Sequence, residues 1–197
     1  MKFFVKSVFF AVLFLAFAAV CARAETFHSI CRDGSVNDVI KALKQGADIN
    51  TLTKDLKTPL MTACKFNKNE DVIGFLIDEG SDVNAKDEKG KTALMYACEN
   101  NKNIEIVKLL LRKHADINAA SNSGKTALMY ACENNPNIKL TAVLVESGAD
   151  VKAKTNDGRT ALDFADKNEN KKAAKLIKTI LLNAGAGSQD LSSLEKI

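Results

Sequence analysis

Leu94, Ala97 and Cys98 fall at helical spacing in a short apolar segment. After a polar turn, Ile104, Ile106, Val107, Leu109, Leu110 and Leu111 make a second, more apolar one. The first spacing predicts a helix from Ala93 to about Asn100 with one apolar face, and the second predicts a partner helix. Thr92 stands just before the first helix, where its hydroxyl can accept a backbone N–H of the first turn. Thr58 holds the same place ahead of Pro59, a residue suited to the first helical position.

This unit recurs. Thr58, Thr92, Thr126 and Thr160 are each 34 residues apart and open the segments TPLMTAC, TALMYAC, TALMYAC and TALDFAD. A second column keeps step: Gly46-Ala-Asp-Ile-Asn, Gly80-Ser-Asp-Val-Asn, His114-Ala-Asp-Ile-Asn and Gly148-Ala-Asp-Val-Lys. The three glycines are placed to end helices in the left-handed conformation, and His114 is among the residues that tolerate it. A helix pair this short cannot bury both faces alone, so successive units must stack into a continuous core.

These two columns resemble the ankyrin repeat, over residues 26 to about 183. The resemblance implies an all-α repeat solenoid of helix-turn-helix units joined by short β-hairpin fingers, with capping repeats at both ends. It divides the chain into a leader at 1–24, an N-terminal capping half-repeat at 25–50, repeats at 51–84, 85–118 and 119–152, a C-terminal repeat at 153–183, and a flexible Gly- and Ser-bearing tail at 184–197. Ala173, Leu176, Ile177 and Ile180 are expected to face the stack from the last helix, with Lys171, Lys175 and Lys178 on its outer side.

Three departures from the family pattern stand out. The turn between helices is one residue longer, as in Glu99-Asn100-Asn101-Lys102-Asn103, and should bulge. The family's His is replaced by Met61, Met95, Met129 and Asp163, so its hydrogen bonding should be missing. Leu56 stands where Gly90, Gly124 and Gly158 occupy the finger tip, so the first tip should differ in shape.

The net charge of +4 changes meaning once the N-terminus is considered. Lys2 and Lys6 precede an uncharged apolar run from Val8 to Val20, ending at Ala22-Arg23-Ala24, the pattern of a cleaved secretory signal peptide. An uncleaved anchor is the competing reading. Lipid attachment at Cys21 is opposed by the bulky Val20 before it. Cleavage after Ala24 removes three basic side chains and no acidic one, leaving 25 against 24. The chain is therefore expected to be periplasmic or secreted, off the membrane after cleavage, monomeric, and without affinity for nucleic acid. No Asn-x-Ser/Thr triplet occurs, which favours a bacterial exported protein.

Candidate chemistry is sparse. Cys31, Cys64, Cys98 and Cys132 recur at repeat spacing. Stacked helices lie ~8–10 Å apart and a disulfide needs Cα atoms within ~7 Å, so four buried, unpaired thiols are expected. With two histidines, no C-x-x-C, no Gly-rich phosphate loop and no G-x-S-x-G, the sequence offers no catalytic residue, metal ligand or cofactor site. What it offers is a basic column before each repeat threonine: Lys57, Lys91, Lys125 and Arg159. By the resemblance, this column borders the concave groove where ankyrin proteins hold partners. The charges are either a solvated row paired with Asp55, Asp87, Glu88 or Asp157, or a ladder facing acidic groups. Cations beside a helix N-terminus oppose the macrodipole, which speaks for a ligand. By the same resemblance Phe66, Tyr96, Glu99, Asn100, Tyr130, Glu133, Asn134 and Phe164 line the groove, although the aromatics could equally pack between repeats. The expected function is binding of another protein through this concave face, the partner presenting an acidic surface where the basic row faces a ligand. The alternative is a chaperone-like or structural envelope protein that contacts acidic groups through the basic row.

Overall fold

The structure, a computed structural model, describes residues 26–185. The expected leader at 1–24 and nearly all of the expected tail lie outside the described residues. Residues 26–33 are helical (α1), and nine helices follow: α2 (Val36–Lys44), α3 (Pro59–Phe66), α4 (Glu70–Asp78), α5 (Ala93–Asn100), α6 (Ile104–Arg112), α7 (Ala127–Asn134), α8 (Ile138–Glu146), α9 (Ala161–Ala165) and α10 (Lys171–Asn183). They form two layers. Helices α3, α5, α7 and α9 stack in one row, α2, α4, α6, α8 and α10 in the other, and each α3-to-α10 pair also packs within its own unit. Among the described residues no helix is long and apolar enough to cross a membrane.

The inner helices are buried on nearly every side. All six residues from Ala93 to Cys98 are covered, as are Ala127 to Cys132, because each helix touches a neighbour before it, one behind it and the outer row beneath. Outer helices bury only a stripe, such as Ile106, Val107 and Leu110 in α6. Each fully buried aliphatic side chain contributes roughly 1.5–3 kcal/mol of transfer free energy, and the core runs unbroken from Phe27 to Leu181.

The caps follow the sequence, with exceptions. Thr58 and Thr92 accept from the Met61 and Met95 N–H groups at 3.2 and 3.5 Å. The lost family His is partly replaced: the Met61 sulfur accepts from the Thr58 N–H at 3.4 Å, and the Asp163 carboxylate accepts from the Thr160 N–H at 2.7 Å and hydroxyl at 2.9 Å. The expectation that this hydrogen bonding is missing is therefore corrected at both positions. In α10 the buried face is Ala173, Ala174, Ile177 and Leu181, while Leu176, expected inside, is 41% exposed.

The fingers hold no β-strand among the described residues. Each is a tight turn closed by one backbone rung, as in the Asp87 N–H donating to the Lys91 carbonyl at 3.0 Å. A rung and a turn are too short for a ladder. Leu56 does not change the tip's shape as expected; it takes the left-handed conformation of its glycine counterparts, with φ 58° against 72° at Gly90. Neighbouring fingers are joined through Asn122, whose N–H donates to the Lys89 carbonyl at 3.0 Å and whose side chain donates to the Glu88 carbonyl at 2.9 Å.

The turn between the two helices is pinned inward by an asparagine in every unit. Asn67, Asn101, Asn135 and Asn168 are buried, and each side-chain amide bridges two carbonyls of the preceding unit. The Asn101 Nδ2 donates to Cys64 and Asn67 carbonyls at 2.9 and 2.8 Å, while its Oδ1 accepts from the Asn103 N–H at 2.9 Å. Asn103 then caps α6 by accepting from the Glu105 N–H at 3.0 Å.

Candidate binding face

The column Thr62, Tyr96, Tyr130 and Phe164 lies along the inner helices, one residue per unit. Tyr96 and Tyr130 are buried, so of the two readings left open by the sequence the structure takes packing between repeats. From Lys91 onward the basic column is threaded between these rings. The Lys91 Nζ lies 4.3 Å from the centres of both Tyr96 and Tyr130. The Lys125 Nζ lies 5.2 Å from Tyr130 and 4.4 Å from Phe164, and the Arg159 guanidinium closes the series at 4.8 Å from Phe164. A cation over an aromatic face is worth about 0.5–2 kcal/mol, more when water is excluded.

The same cations are neutralised from within. Lys91 reaches along α5 to the Glu99 carboxylate at 2.6 Å, and Lys125 along α7 to Glu133 at 2.6 Å. The end members use their own fingers, Lys57 pairing with Asp55 at 2.9 Å and Arg159 with Asp157 at 2.6 Å. That pairing, with a hydrogen bond from Thr155, holds the Asp157 carboxyl down at about 2. Each cation thus has a carboxylate where it stands, and aromatic faces flank Lys91, Lys125 and Arg159, so the macrodipole by itself does not call for an external ligand. Lys91 itself is buried and so is Asp87, which accepts from the Tyr96 hydroxyl at 2.6 Å and the Lys91 N–H at 2.7 Å. Burial, then the hydrogen bond to Asp87, push the Tyr96 phenol well above its ordinary value.

Repeated in phase, these units are a family pattern in space as well as in sequence. Two overlapping stretches, residues 27–121 and 101–187, match the model for ankyrin repeats in three copies. The chain belongs to the ankyrin-repeat family. Ankyrin repeats generally mediate protein–protein interaction and are typically binding scaffolds without enzymatic activity. Among curated proteins none matches the chain significantly.

On this ankyrin stack the remaining sequence-predicted positions are open to solvent. Phe66 is 49% exposed; Asn100 and Asn134, its counterparts, are exposed; Glu99 and Glu133 are partly so. Among the described residues no group of His, Cys, Asp and Glu is arranged to hold a metal ion. Cys31, Cys64, Cys98 and Cys132 are free and buried, and burial pushes the Cys31 and Cys132 thiols up to about 12 and the other two higher. The Asn ladder was missed from the sequence, yet its trace is there: Asn-x-Asn recurs at 67/69, 101/103, 135/137 and 168/170. Where Thr62 replaces the aromatic, His28 of α1 meets it, with Nδ1 2.8 Å from the Thr62 hydroxyl and Nε2 3.1 Å from the Thr51 carbonyl.

Proposed function

We propose that this protein is exported and binds a protein partner across the concave face formed by its fingers and inner helices. The observation that carries this reading is the interleaved series of cations and rings, which rigidifies the inner face before any partner arrives. Side chains already ordered lose little rotamer freedom on association, so more of the contact energy remains as affinity. The solvent edge of that face presents Phe66, Asn100, Asn134, Glu99 and Glu133, a mixed polar and aromatic surface of the sort that suits protein recognition. Lys57, Lys91, Lys125 and Arg159 act chiefly as the internal frame of that surface. A basic ladder gripping an acidic polymer, the envelope-contact alternative, has less to support it, since each of the four cations already has a carboxylate.

Photo-crosslinking in the native host tests the reading. A benzophenone side chain placed at Asn100 or Asn134 should trap a partner that the same probe at Lys108 or Lys139 on the outer helices does not. Equal adducts from both rows would sink the concave assignment. N-terminal sequencing of the extracytoplasmic pool should begin at Glu25, and recovery of the whole chain from the cytosol alone would refute export.

A further inference from the structure

The four units share one template, and comparing them column by column singles out the first. Position 52 is Leu where the later units have Lys86, Ala120 and Lys154; position 56 is Leu against three glycines; position 66 is Phe against Asn100 and Asn134 in the next two units. Leu52, Leu56 and Phe66 are 49%, 48% and 49% exposed, and only Leu176 joins them among large apolar side chains exposed in the described residues. Single exposed apolar residues are ordinary; three solvent-facing substitutions confined to one unit set it apart from the others.

Charge departs in the same unit. Position 65 is Lys where Glu99 and Glu133 stand in the next two units, so the carboxylate that neutralises Lys91 and Lys125 is replaced here by a second cation. Lys57 turns instead to Asp55, whose side chain is 61% exposed. Lys65 has no ion pair among the described residues and rests over Phe66 at 4.8 Å and Tyr96 at 5.8 Å. The first finger is joined to the second, through the Glu88 N–H and the Asp55 carbonyl at 3.0 Å, and has no finger before it among the described residues. Leu56 also holds φ 58° at a cost of roughly 1–2 kcal/mol that its glycine counterparts do not bear.

We infer that the first repeat is the docking centre of the concave face, and that it takes an extended protein segment with large apolar side chains beside a carboxylate. This rests on the concave-face reading and adds its location and chemistry. The segment's apolar side chains cover Phe66 at the end of α3 and the leucines at the first finger. The carboxylate supplies Lys65 with a counter-ion, as Glu99 and Glu133 do for Lys91 and Lys125.

The test uses fluorescein-labelled synthetic peptides of about ten residues, long enough at ~3.3 Å per residue to cross three repeat spacings. One alternates Phe or Leu with Glu; its twins carry Gln for Glu, Ala for the apolar residues, or Lys for Glu. The Phe/Glu peptide should bind the purified protein at least about tenfold tighter than each twin, with amide shifts of the 15N-labelled protein centred on residues 52–66. Phe66→Ala should weaken it about tenfold, and Lys65→Glu should move the preference to the Lys twin, both with unchanged circular dichroism. No binding up to about 1 mM overturns the inference, as does equal binding of the Gln twin. Shifts centred on residues 96–134 overturn the first-repeat location and leave the concave reading standing. Shifts confined to the outer helices overturn both.

Discussion

Lys91 and Tyr130 belong to successive repeats, yet the lysine Nζ lies 4.3 Å from the centre of the tyrosine ring while its own repeat supplies Tyr96 at the same distance and Glu99 at 2.6 Å. One side chain thus ties two units together and holds a carboxylate at their boundary. Repeat proteins are stabilised by intrinsic unit terms and nearest-neighbour interface terms. Lys91 contributes to both.

Replacing it by Met keeps much of the stem and removes the charge. Lys91→Met should cost about 2–4 kcal/mol, since Glu99 is left partly buried without its cation and two ring contacts are lost. Lys57→Met, removing a pair whose carboxylate is mostly in water, should cost less than about 1 kcal/mol. Urea midpoints of the two variants decide this; equal losses would mean that the threaded lysine is only a surface charge.

Asn101 makes three hydrogen bonds inside the inter-helix turn. At about 1 kcal/mol each, Asn101→Ala should destabilise by about 3 kcal/mol. Asn101→Asp should do worse, turning two donations into buried repulsion with the same carbonyls. Hydrogen exchange should quicken at Asn103 and Glu105, whose N–H groups are held by this turn.

Leu56→Gly should raise stability by roughly 1–2 kcal/mol, because the left-handed strain is relieved and an exposed side chain is lost. Gly90→Ala should act oppositely and more strongly. Its Cβ would meet the Asn122 side-chain oxygen at 2.4 Å and backbone nitrogen at 2.7 Å, displacing the bonds that join the second and third fingers. Thermal melts of the pair read both signs.

His28 gives the N-terminal end a pH dependence. Burial lowers its pKa below the ordinary 6.5, against the hydrogen bond to Thr51, and Lys57 lowers it a little further. The unfolded chain therefore binds the proton first, so stability is complete above about pH 6.5 and declines as pH falls toward the folded value. Carboxylates held low by partners, Asp38, Asp55 and Asp157, add their own losses only below their ordinary 3.8. The urea midpoint should therefore fall between pH 7.5 and 5.5 in the wild type and less so in His28→Gln; parallel curves would refute the assignment.

Much of this was legible in the residues. The period of Thr58, Thr92, Thr126 and Thr160, the paired apolar segments and Gly46, Gly80 and Gly148 determined the helices and their stacking, because local propensity, caps and turns all act within one unit of chain. What Lys91, Tyr96 and Asn101 do was not legible. Each of them meets groups in its own unit and also groups contributed by the unit before or after it. A row of lysines reads alike in sequence whether it faces a ligand or lies between rings. Only tertiary structure brings the neighbouring ring and the internal carboxylate within reach, and at those distances desolvation and pairing decide whether a charge is a docking point or part of the frame.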